Sequence, residues 1–164
     1  MNSINNKYLI FVFLFLIFNK LNAQIVSTYY GFNSNVYNPY GLSTNSNGDF
    51  SYVTQSGWPP LINKINSGGV VSTQLSGNYY PLYNYMSYYS DPIIMDYDNM
   101  GNLYFIDDYN WPRSIQKVEP NGTVSAFVSN NNYYPSSITC DNSGNLYFLD
   151  DMNYGTINKV DQFG

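Results

Sequence analysis

Two acidic pairs, Asp107-Asp108 and Asp150-Asp151, each close an apolar run of one shape, Leu-Tyr-Phe followed by Ile or Leu. Adjacent carboxylates at a strand end can hold a cation, accept hydroxyl hydrogen bonds or trade a proton. Aromatic rings lie close by in sequence. Trp111 follows the first pair, Tyr154 the second, and Trp58 comes at the matching distance after Thr54. The tyrosine-rich stretch 78–89, with Tyr83 and Tyr85 at its centre, adds more rings. Flat rings suit the apolar faces of sugars, and rings beside acids suit cationic groups. These residues favour a noncatalytic binding surface for a protein or a glycan.

Each feature also has a structural reading. The first acid after a strand commonly caps its own loop by accepting backbone N–H bonds, which is the expectation for Asp107 and Asp150. Asp108 and Asp151, one step further on, are the freer pair. Trp58 and Trp111 share one repeat position and suit a wedge between packed sheets. Calcium wants six to eight oxygens and the acid pairs supply too few, so no metal and no cofactor is assigned. Catalysis has little support: the chain has no histidine, no nucleophile elbow and no phosphate-binding glycine loop. Asn121-Gly122-Thr123 is a glycosylation sequon in a turn, with Asn121 as its acceptor.

What positions these residues is a repeat. Asp98-Asn99-Met100-Gly101-Asn102-Leu103-Tyr104-Phe105-Ile106-Asp107-Asp108 returns as Asp141-Asn142-Ser143-Gly144-Asn145-Leu146-Tyr147-Phe148-Leu149-Asp150-Asp151. A worn copy runs from Asn45 through Gly48 to Thr54. Pro39, Pro92 and Pro135 open the units, at spacings of 53 and 43 residues. The extra length of the first unit falls in the 78–89 stretch. Asx-x-x-Gly is type I turn chemistry leading into a hairpin. The run after it is apolar at consecutive positions, so both faces of that strand must be buried, as stacked sheets require. Four short strands to a unit, with Leu42, Met95 and Ile138 in one column, give an all-β array of propeller-type blades.

The pattern Pro-x-x-Leu/Ile, Asp-x-x-Gly-Asn-Leu-Tyr-Phe-Leu-Asp, Ile-x-Lys-Val, Gly-x-Val resembles the NHL repeat. The likeness covers residues 39–164 and is weaker in the first unit, where Asp49 replaces the usual Asn and Thr54 the acid. It implies a β-propeller, commonly of six four-stranded blades, in which the loops between second and third strands and the connections from one blade to the next share one face. It also leaves room for a lyase- or hydrolase-like enzyme, with Asp108 or Asp151 as the acids to test.

Residues 1–23 carry Lys7, an apolar run from Tyr8 to Phe18 and Ala23 before Gln24, the pattern of a secretory signal peptide rather than a membrane span. Residues 24–164 then form one propeller module, with units at 39–77, 92–134 and 135–164 and an orphan outer strand at 25–31. Four basic residues remain against eleven acidic ones, which argues against nucleic acid as a partner. Cys140, the one cysteine, falls within a strand and is expected to be buried and inert. About three blades' worth of strands is a partial propeller, a truncated fragment, or half of a six-bladed ring closed by a homodimer that exchanges residues 25–30.

Overall fold

The computed structural model describes residues 39–54, 60–77, 95–108, 112–152 and 155–164. All lie in the compact unit spanning 32–164; the other unit, 1–31, is outside the described residues. The signal peptide, the 25–31 strand, the 78–89 stretch and Pro92 therefore fall outside them, as do Trp58, Trp111, Tyr154, Tyr83 and Tyr85.

Among the described residues eleven strands form three antiparallel sheets. The first holds β1 (Tyr40–Thr44), β2 (Phe50–Thr54), β3 (Leu61–Ile65) and β4 (Val71–Leu75). The second holds β5 (Met95–Tyr97), β6 (Leu103–Asp107), β7 (Ser114–Val118) and β8 (Val124–Val128). The third holds β9 (Pro135–Cys140), β10 (Leu146–Asp150) and β11 (Thr156–Val160). Strands neighbour one another in chain order within each sheet. The all-β, propeller-type class expected from the repeat is what the chain adopts.

The hairpin joining the first two strands of each sheet shows why the motif recurs. In the second sheet Gly101 N donates to Asp98 O at 3.2 Å, and Asp98 N donates to Asn102 O at 3.0 Å. Gly101 sits at φ +83°, the left-handed position that follows a type I turn in such hairpins. The Asp98 carboxylate binds the turn from inside. Oδ1 accepts from Met100 N and Asn102 N, both at 2.9 Å, while Oδ2 accepts from Asn102 Nδ2 at 2.7 Å and the Tyr104 hydroxyl at 3.2 Å. Asp141 repeats all four contacts with Ser143, Asn145 and Tyr147. Burial, and then the Asp98 charge, push the Tyr104 phenol up, so it stays a donor.

The first sheet keeps this clasp with its polarity reversed. Asn45 Oδ1 accepts from Asn47 N and Asp49 N, and Asn45 Nδ2 now donates to Asp49 Oδ2 at 3.1 Å. The carboxylate has moved from the first position to the fifth, where it also meets Lys64 Nζ at 2.7 Å. Asp49 is accordingly held below the usual carboxylate value, chiefly by the Lys64 hydrogen bond. Asn45→Asp alone should face two carboxylates across the turn and lower the urea midpoint by roughly 1–3 kcal/mol of stability. Adding Asp49→Asn should recover most of that loss.

The three sheets stack face to face in order. Leu103, Phe105 and Met95 of the second sheet point to the first, and Tyr104 and Ile106 point to the third. All five are fully buried. The third sheet turns Ile138, Leu146 and Phe148 into the same core, with Tyr133 edge-on to Phe148 at 5.4 Å. Asp96 on β5 ties the three first strands together. Its Oδ1 accepts from Ser43 Oγ at 3.0 Å, and its Oδ2 from Thr139 Oγ1 at 3.1 Å and Cys140 N at 2.8 Å. Among the described residues no buried side-chain polar atom lacks a partner.

Two expectations change in detail. Leu42 departs from its column, 65% exposed where Met95 and Ile138 are buried, because it lies on the face of the first sheet turned away from the second. In β10 burial alternates: Leu149 is 42% exposed and its neighbour across the ladder, Ile157, 72%. Their repeat equivalents Ile106 and Ile115 are fully buried. Both faces of the repeat are apolar, and the outer face of the third sheet has no described sheet against it.

Candidate functional site

The acidic pairs end β6 and β10, at the end of the stack where strands two and three are joined. Asp150 is fully buried. Its Oδ1 accepts from Met152 N at 3.0 Å within its own loop and from Tyr134 N at 2.8 Å in the segment entering β9. Asp151 N donates back to Tyr134 O at 3.1 Å. Asp150 is therefore a loop cap. Asp107, equally recessed at the end of β6, occupies the matching register position opposite Ser114.

Asp108 and Asp151 prove less free than their sequence position implies. Arg113 Nε donates to Asp108 Oδ1 at 2.9 Å, and Arg113 Nη1 reaches the Pro135 carbonyl at 3.5 Å. The guanidinium also lies 4.0 Å from the centre of the Tyr134 ring, a cation–π contact that orients it. Asp151 Oδ1 accepts from Ser136 Oγ at 3.0 Å. Arg113, Tyr134 and Ser136 are the residues that sequence reasoning missed. Arg113 is the sole arginine of the chain and stands in the loop after an acid pair, which is the signal that could have found it. The two loops thus meet across Pro135-Ser136, one acid ion-paired and the other hydrogen-bonded. Exposed pairs of this sort contribute about 0–1 kcal/mol, so their main effect is to fix the loops.

Asn121 lies in the exposed turn between β7 and β8, where its Oδ1 accepts from Thr123 N at 2.8 Å and its Nδ2 donates to Glu119 at 3.3 Å. Cys140 is half-buried at the end of β9. Burial first, then the carboxylates of Asp96, Asp98 and Asp141, push its thiol up, so it is no thiolate nucleophile at neutral pH. Among the described residues no group of three acids, cysteines or histidines converges on one point. No described helix is long and apolar enough to cross a membrane.

Solved structures share this architecture. A quinonprotein alcohol dehydrogenase-like protein from Bacteroides thetaiotaomicron superposes with a TM-score of 0.61 at 16% identity, over 75% of this chain and 31% of its own. TolB from Acinetobacter baumannii superposes at 0.57 and 14%, over 76% of this chain and 30% of its own. The fold is that of β-propeller blades. At such identities the likeness shows the fold alone, and this chain spans about a third of the length of either structure. No family profile and no curated protein matches the sequence.

The propeller geometry explains why the acids collect where they do. Blades stacked in order bring all second-to-third-strand loops to one end, and the chain enters each new blade at that same end. The Asp150–Tyr134 contact is such a meeting of loop and entry segment. At the opposite end lie the Asx clasps. Asp141 is lowered to about 2 from 3.8, first by the Asn145 side chain and then by the Asn145 backbone. A carboxyl depressed on folding stabilises above its unfolded value and loses that contribution as the pH falls through the folded one. Acid unfolding should therefore steepen between about pH 4 and pH 2, and Asp141→Asn should flatten the profile in that window when followed by circular dichroism.

Proposed function

We propose that this chain is a noncatalytic recognition module of NHL-like propeller blades, acting outside the cell after removal of residues 1–23, and that it binds a protein or a glycan. The observation that supports this reading is the commitment of the acids. Asp150 is buried as a cap, Asp108 is ion-paired to Arg113 and Asp151 is bonded to Ser136. A general acid or base must reach the proton it moves and carry a suitably shifted affinity for it. Carboxylates spent on holding loops are poor candidates for that work, whereas a rigid rim suits binding. Trp58, Trp111, Tyr83, Tyr85 and Tyr154 are the rings proposed to join it.

The test is a glycan array and a co-secreted protein screen with the purified protein, repeated with Asp108→Ala and Asp151→Ala together. Saturable binding, weakened but not lost in the double variant, with no product released from any bound ligand, is the expected result. Product formation lost in the double variant would instead establish the lyase or hydrolase reading.

A second reading, of assembly, is favoured by the open face of the third sheet. Leu149 and Ile157 are exposed beside Tyr147 and Lys159, while the same columns in the second sheet are covered by another sheet of the repeat. The occupant proposed for this face is a second copy of the chain. The columns already pack against a blade of the same repeat, and an apolar face shared by two copies can pair about a two-fold axis.

A further inference from the structure

Ser51 and Gln74 of the first sheet stand where the second sheet has Tyr104 and Phe127. In the second sheet those rings pack edge to face, centroids 4.9 Å apart, and Phe127 lies close enough to Gly164 that a methyl group there would touch its ring. Together they fill the seam toward the third sheet. In the first sheet a hydroxymethyl group and a carboxamide take their places, and the seam toward the second sheet loses two rings. A cleft of about 300 Å³ opens there, among the Asx clasps at the end opposite the acidic loops.

Its floor is polar. Tyr97 occupies the position of Cys140 and carries its hydroxyl across the seam. That oxygen lies 2.6 Å from Ser51 Oγ and 3.0 Å from Gln74 Oε1, and Ser51 Oγ lies 2.6 Å from the same Oε1. Three oxygens share two hydroxyl protons, so one edge of the triangle is always without its proton. The triangle is satisfied within the protein: Ser51 is fully buried beneath the cleft, and Gln74 and Tyr97 are the members that line it. One wall carries Lys64, neutralised by Asp49 at 2.7 Å. The other carries Glu119. The lip is apolar, made by Pro120 and the exposed side chain of Met100.

We infer that this cleft binds a single pyranose residue, neutral or amino-substituted, as the free sugar or as the end of a glycan. Sugar hydroxyls match the Gln74 amide and the Ser72 and Tyr97 hydroxyls that line the cleft, and the C–H face of the ring matches the Met100–Pro120 lip. The charge that remains is the carboxylate of Glu119, which favours an amino sugar and opposes a uronate. The volume is at the lower end of the about 300–1,000 Å³ of small-molecule sites, enough for one ring. The site rests on the recognition role proposed above and gives it a ligand class, on the end of the stack away from the acidic rim.

The test is saturation-transfer NMR on the purified protein with glucosamine, glucose, methyl glucoside and glucuronate. Glucosamine and methyl glucoside should saturate, with glucuronate at least tenfold weaker. Glucose alongside its methyl glycoside separates the sources, since a site for a glycan end prefers the glycoside and a site for free sugar does not. Ser51→Tyr, Gln74→Phe and Tyr97→Cys together copy the residues that close the next seam. They should abolish binding while leaving the circular dichroism spectrum unchanged. Glu119→Lys, at the half-exposed rim, should reverse the order of glucosamine and glucuronate even if the triple variant fails to fold. Absence of saturation by all four sugars would overturn the inference, as would binding that survives in a folded triple variant or an order that Glu119→Lys leaves unchanged. Sugar binding that survives the triple variant would move the site elsewhere and leave the recognition role standing. Failure of the array and protein screens as well would remove both.

Discussion

Asp98→Ala should lower the unfolding free energy by about 3 kcal/mol or more, measured as a shift in the urea midpoint. The carboxylate is 3% exposed and accepts from two backbone amides, one side-chain amide and one phenol. Truncation leaves those donors without a partner, including the Tyr104 hydroxyl at the centre of the stack. Stranding a buried donor costs more than its bond contributes when made. The loss is a large share of the roughly 5–15 kcal/mol that holds an ordinary domain. The decisive control comes from the chain itself. Asp98→Asn alone should also destabilise, since its amide would face the Asn102 amide. Asp98→Asn with Asn102→Asp reproduces the reversed clasp of Asn45 and Asp49, and should be more stable than either single change. A double change no better than the sum of its parts would mean that the clasp is not the unit of stability.

The second large effect separates two isoleucines at one repeat position. Ile115 is fully buried between sheets and Ile157 is 72% exposed. Ile115→Ala should cost about 2–5 kcal/mol and lower the midpoint at every protein concentration. Ile157→Lys should leave the fold of a single chain almost untouched, and act on association instead. If two copies meet through the third sheet, the lysine puts a charge from each copy into the contact, where burying it without a partner is costly. Stability should then lose its dependence on protein concentration. Equal losses at both positions would mean that the third-sheet face is already covered within one chain.

Much of this organisation is legible in the sequence because the repeat is a physical unit. Asp-x-x-Gly-Asn-x-Tyr spells out a turn whose acceptor, left-handed glycine and two donors all sit at fixed offsets. Consecutive apolar residues in Leu103 to Ile106 state that the strand is covered on both sides. The first unit was harder to read. Asn45 and Asp49 look like decay of the motif until the hydrogen bonds show that donor and acceptor have changed places. The partners of Asp108 and Asp151 were out of reach for another reason: Arg113 and Ser136 act across loops, and local spacing carries no record of which side chains meet there. The cleft between the first two sheets was hidden in the same way. Ser51, Gln74 and Tyr97 are unremarked polar or aromatic residues singly, and only their alignment with Tyr104, Phe127 and Cys140 shows that a ring pair has been removed.

The native mass of the purified protein, by light scattering on a sizing column, tests most directly whether these blades are made to dock on more of their own kind. A folded assembly of two chains is expected, reduced to single chains by Ile157→Lys. A monodisperse, fully folded single chain, with Leu149 and Ile157 left open to solvent, would contradict it.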